Sequence, residues 1–170
     1  MSDDISQFIA FSKPFIDAAK NIFKTMVSTE LETGKPTIKE GLVSKGDISS
    51  IIGMTGTCER RGETSEFKGQ LVISFPKKTF LKVASAMLYE NFTELNEDNS
   101  DTGAEIINMI MGNAKRDLTP LGYKMGMATP TTVSGAAHEI KYINGVRIIV
   151  IPMKCTHGDF FVEICYQELF

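Results

Sequence analysis

Phe8, Phe11, Phe15, Ile16, Ala19, Ile22, Phe23 and Met26 recur at spacings of three and four, and beyond Pro36 this period gives way to β-rich runs punctuated by glycine. A chain that changes period in this way must pack helix against sheet. The first period predicts an amphipathic helix over 4–28. Pro14 interrupts it, and its missing amide either kinks the helix or marks its start, with Ser12 as N-cap. The runs 37–43, 48–58 and 66–75 then predict three strands, with turn chemistry at Gly46-Asp47 and Arg61-Gly62. Gly53 and Gly56 lie inside the second run and predict a bulge there. Pro76 closes the third run, and the apolar stripe Phe80, Val83, Ala84, Met87, Leu88 predicts a helix over 77–91. An acidic loop, 94–101, leads into a further helix over 102–119, which Pro120 and Gly122 end. Three more strands are predicted over 131–135, 140–153 and 160–167, with Asn144-Gly145 available for a hairpin turn. The order is α-β-β-β-α-α-β-β-β. It describes one α+β domain spanning 1–170, with a largely antiparallel sheet packed against helices.

Composition narrows the function. In 170 residues, 18 Lys plus Arg stand against 21 Asp plus Glu, a formal charge of −3, which argues against tracking along nucleic acid. A chain of this length buries an adequate core without a metal or a disulfide framework. No apolar run approaches the roughly 20 residues of a membrane span, and the acidic start, Ser2-Asp-Asp-Ile, is unlike a secretion signal. Cys58, Cys155 and Cys165 are odd in number, widely spaced and without a C-x-x-C pair; they fit free thiols in a reducing cytoplasm. The sequon Asn91-Phe-Thr93 then carries no consequence. With only His138 and His157, a histidine-rich metal site cannot be built, and both read as surface or turn residues. No phosphate loop, nucleophile elbow or dinucleotide fingerprint is present.

The informative segment is Asp101-Thr-Gly-Ala-Glu105-Ile-Ile-Asn108-Met-Ile-Met-Gly112-Asn-Ala-Lys-Arg. On a helix, Asp101, Glu105, Asn108 and Gly112 form one narrow stripe, while Ile107, Met111, Ala114, Leu118 and Leu121, widened by Ile106 and Ile110, form the core-facing one. Thr102-x-x-Glu105 is also a capping-box pattern, so Glu105 has a purely structural role open to it. Capping does not explain Asn108, because asparagine competes for backbone bonds inside helices. Nor does it explain Gly112, since an interior helical glycine costs roughly 0.8 to 1 kcal/mol relative to alanine. Two unfavourable choices on one exposed stripe point to a partner docking there.

At these residues the sequence resembles the phosphatases that act on the chemotaxis response regulator, the CheC and CheX proteins. Their pattern is Asp or Ser, three residues, Glu, two residues, Asn, with a proline about twenty residues on. Asp101, Glu105 and Asn108 match in identity and spacing, and Pro130 stands near the later proline. A single motif and the following Met-Ile-Met-Gly-Asn-Ala-Lys resemble the CheX branch. The resemblance implies hydrolysis of the aspartyl phosphate of a CheY-like response regulator. In that mechanism Asn108 holds a water in line, Glu105 pairs with the receiver's lysine, and Gly112 allows close approach. Asp101 stands at the helix start or the rim of the contact. The resemblance further implies that this chain binds no cofactor of its own, Mg²⁺ being supplied by the receiver, and that it forms a homodimer through its sheets. The runs 148–151 and 160–162 offer apolar strands that would be liabilities as bare edges. Two other readings remain: a receiver-binding adaptor without hydrolysis, and an enzyme whose helix is wrapped by its sheet, as in hotdog thioesterases, with Glu105 as base.

Overall fold

The computed structural model describes residues 2–169, with side chains from Ile5 onward. Helix α1 (Ser2–Met26) runs through Pro14 without ending. Ser12 is not its cap: the hydroxyl donates back to the Ile9 carbonyl at 3.2 Å, inside the helix. The helix stops where Ser28 takes φ 58°, and the amides of Val27 and Thr29 both turn back to Phe23 O.

Strands β1 (Glu32–Thr33), β2 (Thr37–Ile38), β3 (Ile48–Arg60) and β4 (Glu63–Phe75) precede helices α2 (Lys77–Leu88) and α3 (Thr102–Leu118). A 3₁₀ turn at Thr119–Leu121 leads to β5 (Tyr123–Met127), β6 (Thr131–Ser134), β7 (Ile148–Cys155) and β8 (Gly158–Leu169). All form one antiparallel sheet in the order β1-β7-β8-β4-β3-β5, with β2 also on β7 and β6 also on β3. The expected alternation of helices and strands is therefore present, with the first predicted run shrunk to β2 and the two-residue β1 beside it.

β3 and β4 pair without interruption from Ile48↔Phe75 to Arg60↔Glu63, closed by Arg61-Gly62 at φ 52° and 78°, the two positive values of a type I′ turn. No bulge breaks that register, contrary to the expectation from Gly53 and Gly56. The irregularity lies on the other flank of β3. From Met54↔Met127 to Ile51↔Thr131 the chain takes three steps along β3 but four along β5 and β6, so Ala128–Pro130 contains the extra residue. Gly56 serves a different need: β5 passes so close that a Cβ there would overlap the Lys124 carbonyl oxygen.

Asn144-Gly145 forms a turn within a loop and does not join two strands; the β7–β8 hairpin turns at Thr156-His157 instead. The runs 148–151 and 160–162 are not bare edges either. β7 is covered by β1 and β2, and β8 lies between β7 and β4.

The helices cover one face of the sheet. Phe11, Phe15, Phe23, Phe67, Phe75, Phe80 and Phe160 are fully buried there, Phe160 stacking on both Phe23 and Phe75. Segments 39–47 and 135–147 form a thinner layer on the opposite face, over Val72, Ile148 and Cys165. This second layer explains why Leu71 to Phe75 are buried in succession rather than alternately.

Candidate functional site

Helix α3 buries Ile106, Ile107, Ile110, Met111, Ala114 and Leu118 against α1 and β3. Asp101, Glu105, Asn108 and Gly112 are exposed along its outer side, as the spacing predicts. The helix is not wrapped by the sheet, so the thioesterase-like arrangement is absent.

The capping box does not form. Asp101 occupies the boundary position with φ −89°, no side chain caps the helix, and Thr102 lies within it at 2% exposure. Glu105 is thereby free of the structural role its spacing allowed. Among the described residues, neither the Glu105 carboxylate nor the Asn108 amide makes a side-chain hydrogen bond or ion pair within the chain. Two polar groups one turn apart, on a rigid helix and uncommitted, are available to a partner. Gly112 completes the stripe. A Cβ placed there meets nothing within 4 Å, so no packing among the described residues requires glycine.

The loop before α3 is built by two asparagines that sequence reading passed over. Asn99 is fully buried; its Oδ1 accepts the Asn96 amide at 3.1 Å, its Nδ2 donates to Glu94 O at 2.9 Å, and its carbonyl accepts the Thr102 amide. Asn96 Oδ1 accepts the amide of Asp98 at 2.9 Å. The available signal was the Asx-turn chemistry of Asn96-Glu-Asp-Asn99, which fixes where the chain enters the helix. Pro130, half-buried, sits at the end of the β5–β6 bulge, on the sheet edge that α3 overlies.

The remaining candidates have other duties. His138 is a structural residue: Nδ1 donates to Gly135 O at 2.7 Å, and Nε2 lies 2.7 Å from Ser49 Oγ. A concavity lies elsewhere, between the start of α1 and the β3–β4 turn, and is lined by Gln7, Arg60, Ser65 and Glu168. Arg60 is already engaged by Tyr123 OH at 2.7 Å and Glu168 at 3.1 Å. No three His, Cys, Asp or Glu side chains among the described residues come together as a metal site. No described helix is long and apolar enough to cross a membrane. The stripe on α3 is a convex face, suited to a macromolecular partner rather than to a small molecule, which needs a cavity around it.

Residues 48–154, from the first residue of β3 almost to the end of β7, match the family model described as chemotaxis phosphatase CheX. The chain belongs to the CheX family. The CheY-P phosphatase CheX of Thermotoga maritima is 30% identical over 155 residues, covering 90% of this chain and 93% of that protein. The solved chemotaxis protein CheX of Vibrio vulnificus is 37% identical and covers 93% of this chain and 99% of its own, with a TM-score of 0.78. The CheX–CheY–BeF₃–Mg²⁺ complex from Borrelia burgdorferi is similar at 25% identity over 94% of this chain and 98% of that one, with a TM-score of 0.71. The CheX match includes the whole of α3, so the stripe belongs to the part of the chain that places it in the family.

Proposed function

We propose that this CheX-family chain is a protein phosphatase that removes the phosphoryl group from the aspartate of a CheY-like response regulator, with Asn108 and Glu105 as its working residues. The observation that carries the reading is the pair of uncommitted side chains on the outer face of α3, in a chain 30% identical over 90% of its length to a CheY-P phosphatase. In the receiver, an acyl phosphate is already surrounded by positive charge, which the receiver's own Mg²⁺ and lysine supply. What is missing is a nucleophile held in line. The Asn108 amide accepts from and donates to a water beside the phosphoryl group. Water oxygen attacks phosphorus, the bond from phosphorus to the aspartate oxygen breaks with its electron pair returning to the carboxylate, and both of the water's protons leave on inorganic phosphate as dihydrogen phosphate. A neutral amide suits this step because it aligns the water without repelling the anion. Glu105, three residues back on the same face, pairs with the receiver's lysine and fixes the docking register. Gly112, one turn beyond Asn108, leaves a flat place for the partner backbone, and Asp101 lies at the rim. The receiver is an intracellular signalling domain, so we assign the chain to the cytoplasm.

We also propose a homodimer. It is supported by exposed apolar surface at Ile5 (61%), Ile9 (58%) and Ile38 (57%), and by the outer edge of β5, where Met127 is 46% exposed.

The deciding experiment follows phosphate loss from a purified phosphorylated receiver in Mg²⁺, alone and with wild type, Asn108→Ala and Glu105→Ala. Acceleration by wild type that Asn108→Ala abolishes supports the mechanism. Binding without acceleration replaces the phosphatase by an adaptor.

A further inference from the structure

The first turn of α3 rests on a hydroxyl group that a second hydroxyl holds in place. Ser50 on β3 is 1% exposed, and its Oγ lies 2.9 Å from Thr132 Oγ1 on β6. Gly103 on α3 faces that oxygen. A methyl group built on Gly103 would overlap Ser50 Oγ, while Ser50 Cβ, at 3.5 Å, and the Phe80 ring, at 3.6 Å, would be ordinary contacts. The obstacle is therefore a single oxygen held toward Thr132. Farther along, α3 rests on aliphatic side chains, Ile106, Ile107 and Ile110, whose contacts are non-directional and tolerate a small shift of the helix. A hydrogen-bonded pair has a preferred geometry and tolerates less. Glu105 is two residues beyond Gly103 and Asn108 five, on the same rigid helix, so the height of this turn sets how far both side chains reach toward a partner.

We propose that Gly103, Ser50 and Thr132 are positioning residues for the reaction: the hydroxyl pair seats the glycine and thereby fixes the reach of the Asn108 amide. This rests on the phosphatase reading above. Alignment is what phosphoryl transfer demands, and a misplacement near 1 Å can cost on the order of a hundredfold in rate.

The test measures receiver dephosphorylation against increasing concentrations of the full chain, which separates the rate at saturation from the half-saturating concentration. Gly103→Ala is expected to lower the saturated rate by about tenfold or more while moving half-saturation by less than about threefold. Adding Ser50→Ala, which removes the oxygen and leaves only ordinary contact, is expected to recover most of that rate. A general loss of stability would act differently: an unfolded fraction lowers the active concentration of the chain, which moves half-saturation and leaves the saturated rate unchanged. Hydrogen exchange of the amides over 102–106 gives a separate readout, expected to rise in Gly103→Ala and fall again in the double variant. A wild-type rate in Gly103→Ala, or a double variant no faster than Gly103→Ala, overturns the positioning role and leaves the phosphatase reading intact. A wild-type chain that leaves the receiver's lifetime unchanged overturns both.

Discussion

Lys39 Nζ and Glu163 Oε1 lie 2.9 Å apart beneath the back layer, with side chains 1% and 0% exposed. Tyr142 donates its hydroxyl to the other carboxylate oxygen and accepts from the same lysine. One carboxylate on β8 thus holds both covering segments, the one that carries Lys39 and the one that carries Tyr142. Removing Glu163 leaves a buried ammonium without a counter-charge, so Glu163→Ala is expected to cost about 3–5 kcal/mol in urea unfolding. The double variant Lys39→Met, Glu163→Leu, which removes both charges, is expected to lose much less. Equal losses in the two variants would show that packing rather than charge pairing sets the cost.

Cys165 lies in the same apolar layer. Burial, reinforced by the Glu163 carboxylate and opposed by Lys39, pushes its thiol up to about 12. The unfolded chain releases that proton first as pH rises, so the unfolded state gains relative to the folded one above the ordinary thiol range. Burial likewise raises the phenols of Tyr142 and Tyr166, and the sign is the same. Stability is therefore expected to be fully present below about pH 8 and to fall as pH climbs from about 9 toward 12, by up to about 1.4 kcal/mol per pH unit from the thiol alone. Urea midpoints measured across that range check the direction. A Cys165→Ala variant should show a shallower alkaline slope.

Gly56 and Gly112 make opposite predictions from the same substitution. Alanine at 56 collides with the Lys124 carbonyl, a backbone atom that cannot turn away, so Gly56→Ala is expected to lift β5 from β3 and destabilise the fold by about 2 kcal/mol or more. Alanine at 112 meets open space in a helix, so Gly112→Ala is expected to raise stability by about 0.5–1 kcal/mol. If the flat place at Gly112 receives the receiver's backbone, the same variant binds the phosphorylated receiver more weakly. A more stable variant with unchanged affinity would remove Gly112 from the docking surface.

These residues also mark how far the sequence could be read. Helix α3 was legible because its apolar stripe is regular and because Asn108 and Gly112 contradict helix propensity on the opposite side. The glycine at 56 was visible as an anomaly, but whether it served a bulge or a close approach depended on a strand more than sixty residues away. That strand, Tyr123-Lys-Met-Gly-Met127, has no β-branched residue and follows directly on Pro120 and Gly122, so local chemistry gave it no signal. Ile140, Tyr142 and Val146 carry strand-like residue types without forming a strand, since they are apolar because they cover the back of the sheet. Lys39, between Ile38 and Glu40, has no local partner that would mark it as buried, and only the tertiary fold supplies the carboxylate that buries it.

Asn108 and Glu105 are expected to fail in different kinetic terms. If Glu105 fixes the docking register, Glu105→Ala weakens the complex and raises the half-saturating concentration of the chain. Part of its rate should return when the receiver is saturated. If Asn108 holds the attacking water, Asn108→Ala binds nearly as wild type does yet loses about a hundredfold or more at saturation, the scale seen when one preorganised polar group at a reacting centre is removed. Asn108→Asp is the sharper variant. It keeps the size and one acceptor but places a second negative charge beside the phosphoryl group, so it should be at least as slow as alanine and should also bind the phosphorylated receiver more weakly. An aspartate variant that matched or exceeded wild type would indicate general-base catalysis at this position. The role of Asn108 would then be proton removal rather than alignment.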